Sequence, residues 1–177
     1  MKWFSLLLIS ACVAGGCKPG SSSPANTAEV AADVAQPELP TRAQPKLQTL
    51  KLWLGAQEMT AELALTGPQI RTGMMFRTNI ADNAGMLFVF SSPRQVSFWM
   101  KNCPLPLSAA YIDPNGAILE VRELDSFSTN SVTANTDRVQ YVLETGRGWF
   151  ERNNVIPGMV VRTERGALRQ TFFSQKN

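Results

Sequence analysis

The residues best able to do chemistry in this sequence sit at the end of one apolar run. In FWMKNC (98–103), two aromatic rings and a methionine give way abruptly to Lys101, Asn102 and Cys103. On an extended chain Val96, Phe98, Met100 and Asn102 share one face, and Ser97, Trp99, Lys101 and Cys103 share the other. The first set is apolar up to its last member and reads as the core face. Asn102 is then expected to end the strand and bond turn backbone ahead of Pro104, which cannot donate to a ladder. On the second face a lysine stem can lie along an indole ring while its ammonium stays in water, which suits Trp99 and Lys101.

Arg71 and Arg77 bracket TGMMF, where the chain must turn back. If that turn lies over the Trp99 face, two guanidiniums, an ammonium and an aromatic plane converge. Guanidinium forks bind carboxylate or phosphate, and a tryptophan face stacks on an apolar ring surface. The candidate ligand-binding residues on this convergence are Arg71, Arg77, Trp99 and Lys101, and the ligand expected is anionic or saccharide-like. The competing reading of each arginine is a surface charge or a clamp on backbone carbonyls.

Catalysis finds less support. The chain has no histidine, which excludes Ser-His-Asp and Cys-His arrangements and removes the commonest zinc ligand. A serine, Ser97 or Ser108, with Lys101 as base is the enzymatic alternative. Cys103 would need a depressed pKa to act as nucleophile, and Lys101 is the only cation near it in sequence. A buried, inert thiol is the expected role. Asp113, Glu120, Glu123, Asp125 and Glu144 have no spacing that pairs them, so glycoside hydrolysis gains no support. Phosphate-cradling glycine loops and metal-ligand spacings are absent. No catalytic residue, metal or cofactor is expected.

Short strands must position these residues. Strand patterns recur at 47–55, 58–65, 85–90, 95–102, 109–113, 117–124, 139–145, 159–165 and 168–173, several of them alternating apolar and polar residues. DPNGA (113–117) is a tight-turn signal, and Gly166 marks a second turn. Helices are expected only at 66–77, with Thr66 as N-cap and Pro68 in the first turn, and at 148–154. The fold class is mainly β: a compact β-sandwich or open barrel with one or two short helices.

The remainder concerns location. Met1 and Lys2 precede an uncharged apolar stretch from Trp3 to Val13, which is followed by AGGC. This reads as an export signal over residues 1–16, with Cys17 as the lipidated first residue of the mature protein. Cys12 is the competing lipidation site. Residues 18–46 carry five of the eleven prolines and no aromatic residue. That composition reads as a disordered spacer. The domains are thus the signal at 1–16, Cys17 with its tether at 17–46, and one folded domain at 47–177. Removal of Cys12 and acylation of Cys17 leave Cys103 as the sole thiol, so no internal disulfide is expected. Net charge is +3, from 11 arginines and 6 lysines against 14 acidic residues, without a dense basic stripe. Nucleic acid is not an expected partner. A membrane, reached through the lipid, and an envelope ligand are. The oligomeric state is not encoded in any pattern.

RTGMMFR, GMLFVF, FWMKNCPLPLSAAYIDPNGAI and YVLETGRGWFERNNVIPGMVV occur in this order. Together they resemble the bacterial and archaeal family of domain of unknown function 192, over about residues 48–173. The resemblance implies a small, mainly β domain, often exported or membrane-anchored, and no settled activity. It places the family's recurring polar positions on Arg71, Arg77, Lys101 and Asn102, with Trp99 beside them, and so implies Asn102 as a further candidate ligand-binding residue. The chain departs from the family pattern at Ser108, where many members are acidic, at Cys103, commonly threonine, and at Met159, commonly aspartate after the late glycine. An acidic group lost at Ser108 argues against carrying over an enzymatic role.

Overall fold

A computed structural model describes residues 38–174. The expected signal segment, Cys17 and most of the spacer lie outside the described residues. Ten strands and three short helices follow in the order β1 (Thr49–Leu54), β2 (Gln57–Ala64), α1 (Gly67–Thr72), β3 (Ala84–Arg94), β4 (Ser97–Phe98), β5 (Leu107–Ile112), β6 (Ile118–Leu124), β7 (Val132–Thr133), β8 (Val139–Gly146), α2 (Trp149–Arg152), β9 (Val161–Thr163), β10 (Gly166–Ala167) and α3 (Leu168–Phe173). Eight strands form one open sheet, ordered β10-β9-β1-β2-β3-β8-β5-β6; β4 and β7 pair separately. The mainly β expectation therefore stands, as an open sheet. A bridge between Ala117 and Val160 ties the start of β6 to the approach of β9, which curls the sheet at one corner.

Most pairs are antiparallel, but β2 and β3 run parallel. Parallel neighbours cannot be joined by a tight turn; the connection must cross over the sheet. Here α1 makes that crossing. Its start is fixed locally: Thr66 Oγ1 accepts from the Gln69 amide, and Gln69 Oε1 accepts from the Thr66 amide. This reciprocal pair closes the first turn, with Pro68 inside it. Gly73, at φ +46, stops the helix. Gln44 then clamps its last turn by donating to the carbonyls of Gln69 and Gly73. Residues 38–46, read from sequence as the end of the spacer, thus include a side chain seated on α1.

Two corrections concern local structure. Residues 168–173 form helix α3 and not a strand. Six residues are too few for alternation to distinguish the two periods. Leu168 and Phe172, four apart, both reach the core, and Thr171 Oγ1 bonds back to the Ala167 carbonyl. A third helix is thereby added to the two expected. The run at 95–102 pairs only over Ser97 and Phe98, yet its alternation survives: Val96 and Met100 are buried, and Trp99 is exposed.

Alternate residues of the central strands feed two separate clusters. Leu52, Leu87, Leu143, Ala110 and Phe150 belong to the first; Met86, Phe88, Leu107, Ala109 and Val142 belong to the second. The crossover through α1 brings Met74 onto the second face, and Val96, Met100 and Cys103 cover it from the 94–103 segment.

Candidate functional site

Beneath that cover lies a cavity of about 410 Å³. Its floor is the middle of the sheet and its roof is the end of α1 with the 94–103 segment. Most of its lining is apolar, including Phe88, Phe90, Phe98 and Met100. Its exposed lining residues are Leu39, Arg71, Arg94, Gln95, Ser97 and Trp99, and they mark its mouth. Neither Arg71 nor Arg94 makes an ion pair among the described residues; the Arg94 guanidinium lies 5.4 Å from the Phe90 ring centroid.

The one carboxylate in the lining is Glu144, on β8. It is 3 % exposed, and its register neighbours are Met86 on β3 and Ala109 on β5. The contrast with the other buried polar side chains decides its significance. Ser108 Oγ donates to Glu123 and accepts from the Gly148 amide. Gln140 donates to the Phe90 carbonyl, Thr145 to that of Ala84, and Thr163 is bonded to Thr171. Glu144 alone of this set has no side-chain hydrogen bond or ion pair among the described residues. Burial pushes its pKa from the ordinary 4.5 up to about 8. Loss of solvation disfavours the anion, and no neighbour offsets that loss.

Of the residues expected from sequence, Arg71 and Trp99 reach the cavity. Lys101 sits behind Trp99, its ammonium 5.3 Å from the ring centroid. Arg77 turns elsewhere: its guanidinium pairs with Glu62 at 2.9 Å and reaches the Pro45 carbonyl. Asn102, at φ 60, offers its main-chain carbonyl to the Phe76 amide at 2.7 Å, joining the two turns that roof the cavity. Cys103 lines the cavity but is 2 % exposed, and its thiol points at the carbonyls of Met74 and Leu105. Burial, with the charge of Glu144, pushes that thiol up to about 11. A thiol held neutral is a poor nucleophile. Ser97 shares a hydrogen bond with Thr133, and Ser108 donates its hydroxyl proton to Glu123.

The sequence carries no signal that singles out Glu144. Its face of β8 holds Gln140 as well as Val142, a polar–apolar mixture that alternation reads as the solvent side, and its burial is decided by where α1 and the 94–103 segment land.

The family of domain of unknown function 192, described as an uncharacterised ACR, matches residues 51–163. The chain belongs to this family. No curated protein matches it. Among solved structures, a candidate transcription regulator from Sinorhizobium meliloti 1021 is similar, with 31% identity and a TM-score of 0.65. That alignment covers 68% of this chain and 98% of the other. A protein of unknown function from Novosphingobium aromaticivorans aligns at 26% identity and a TM-score of 0.62, over 68% and 90% of the two chains. Among the described residues of this family member, no cluster of three or more His, Cys, Asp or Glu side chains is placed to hold a metal. No described helix is long and apolar enough to cross a membrane.

Proposed function

We propose that this member of the family is a non-catalytic binding module of the cell envelope, anchored through a lipid on Cys17, whose cavity takes a small amphiphilic anion. The observation that carries the reading is the cavity itself: an apolar interior opening between two guanidiniums that have no acidic partner. Its volume falls within the range of about 300–1,000 Å³ usual for small-molecule sites. The apolar body of a ligand would replace water against Phe88, Phe98 and Met100. Its carboxylate or phosphate would remain at the mouth, beside Arg71 and Arg94. Lys101 adds positive potential from behind Trp99.

The lining also narrows the choice between anionic and saccharide ligands. A sugar needs several convergent hydrogen-bonding side chains, and the interior supplies the carboxyl of Glu144 amid rings and aliphatic groups. Titration of the Cys17→Ala chain with nonanoate and with glycan oligomers, followed by amide chemical shifts, tests the reading. Nonanoate is expected to shift Arg71, Phe98 and Trp99, with the response lost in the Arg71→Ala, Arg94→Ala double variant. Shifts produced only by glycans would replace the ligand class, and silence toward both would remove the function. The anchor has its own check. Cys17→Ala is expected to release the protein from membranes, and retention there would refute lipidation at this residue.

A further inference from the structure

The deep end of the cavity presents a chemical problem that its mouth does not. A carboxyl group in an apolar recess is tolerated when it is protonated, paired with a cation or hydrogen-bonded. Glu144 has neither pair nor bond among the described residues, although Ser108, Gln140, Thr145 and Thr163, buried to the same degree, all do. The groups that face it are few. From α1 and β3 come the guanidiniums of Arg71 and Arg94, at the mouth. Cys103, just ahead of β5, bonds two carbonyls, and the Tyr111 hydroxyl on β5 donates to the Val132 carbonyl. Neither arginine holds the carboxyl down; burial is the only cause acting on it.

We propose that Glu144 is a recognition group that donates its carboxyl proton to an uncharged oxygen, a ketone or other carbonyl, at the buried end of the amphiphilic anion. The inference rests on the cavity reading above and names the second functional group of that ligand. Three observations favour it over an ammonium paired with an ionised Glu144. At neutral pH the carboxyl retains its proton, since burial pushes it up to about 8. The entrance is cationic, which opposes entry of a second cation. Conversion of a neutral acid to an anion inside this lining would also carry the desolvation cost of both ions. A protonated acid kept in an apolar site so that it can donate is an established device for gripping an oxygen.

The test uses the Cys17→Ala chain and three probes: a nonanoate-length carboxylate chain ending in a methyl ketone, the same chain ending in an isopropyl group, and one ending in a primary ammonium. Ketone and isopropyl ends have nearly the same shape, so their affinity ratio isolates the hydrogen bond. That ratio should fall about tenfold in Glu144→Leu, the value of a hydrogen bond whose donor is removed. Glu144→Gln keeps a donor in place and should retain the ketone preference. In the native chain the preference should decline as pH rises through about 8, while in Glu144→Gln it should stay flat. An unchanged ratio in Glu144→Leu, a pH-independent native ratio, or tightest binding by the ammonium-ended probe overturns the inference and leaves the cavity reading standing. Failure of all three probes to bind removes both.

Discussion

The two faces of the eight-stranded sheet draw on alternate residues of the same strands, yet they enclose different things. On one, Leu52, Leu87, Leu143 and Phe150 pack into a continuous cluster closed by α2 and α3. Trp149, in that cluster, has its indole nitrogen satisfied by Asn83, whereas the buried Tyr141 hydroxyl there has no partner among the described residues. On the other, an equally apolar set surrounds a cavity and a carboxyl without a partner. Strand β8 contributes to both: Leu143 fills the packed face, and Glu144, one residue on, faces the cavity. The difference is in what covers each face. The packed side is covered by large side chains; the hollow side is roofed by a crossover helix and a segment that pairs for only two residues. A roof held by turns leaves the space that a ligand needs.

Substitution at these two adjacent positions should break the comparison most sharply. Leu143→Ala removes a fully buried side chain and should lower unfolding free energy by ~2–5 kcal/mol, measured by urea denaturation. Glu144→Gln should act with the opposite sign above neutral pH. In the unfolded chain this carboxyl ionises near its ordinary 4.5, and in the folded protein near 8. Between those values the folded state binds the extra proton, so native stability falls as pH rises, by about 1.4 kcal/mol per pH unit. The fall starts above the unfolded value and is complete once pH exceeds the folded one. Glu144→Gln should show no such decline, and its advantage should grow across the window. Parallel pH profiles for native and variant chains would place Glu144 in a polar, satisfied setting and erase the contrast between the faces.

What the sequence made legible follows the same division. Local devices were readable: Thr66 caps the start of α1, and Asp113 Oδ1 accepts from the amides of Asn115 and Ala117 to close the β5–β6 turn. Each is decided within five residues by turn and cap chemistry. The stacking of Lys101 on Trp99 was readable for the same reason, as two residues on one face. Strands β7 and β10, of two residues each, carry no periodicity to read. Arg77 and Arg71 look alike in sequence; only the position of β2 sends the first to Glu62 and leaves the second at the cavity. The isolation of Glu144 is likewise a long-range fact, since it depends on where α1 and the 94–103 segment land.

The roof offers a middle-sized effect. Gly73 ends α1 at φ +46, and a Cβ there would approach the Phe88 ring at 3.2 Å. Gly73→Ala should cost ~1–3 kcal/mol in stability from backbone strain. Phe88 lines the cavity, so this variant should also weaken amphiphile binding, a coupling that Leu143→Ala on the packed face should not show. Loss of stability with unchanged affinity would mean that the roof is a scaffold only, and that the cavity tolerates displacement of its lining.

Lys101 provides the smallest effect and the cleanest test of the mouth. Its ammonium lies over a ring that is itself 38 % exposed, so the attraction works against water and is worth ~0.5–1 kcal/mol. Lys101→Met keeps most of the aliphatic stem and removes only the charge. Stability should change by no more than that amount, while affinity for nonanoate should drop a few-fold and lose part of its salt dependence. A packed side chain would give the reverse pattern, a large stability loss with no effect of salt. If Lys101→Met behaves in that second way, the FWMKNC segment belongs to the packed architecture of the molecule, and the mouth of the cavity must be drawn from Arg71 and Arg94 alone.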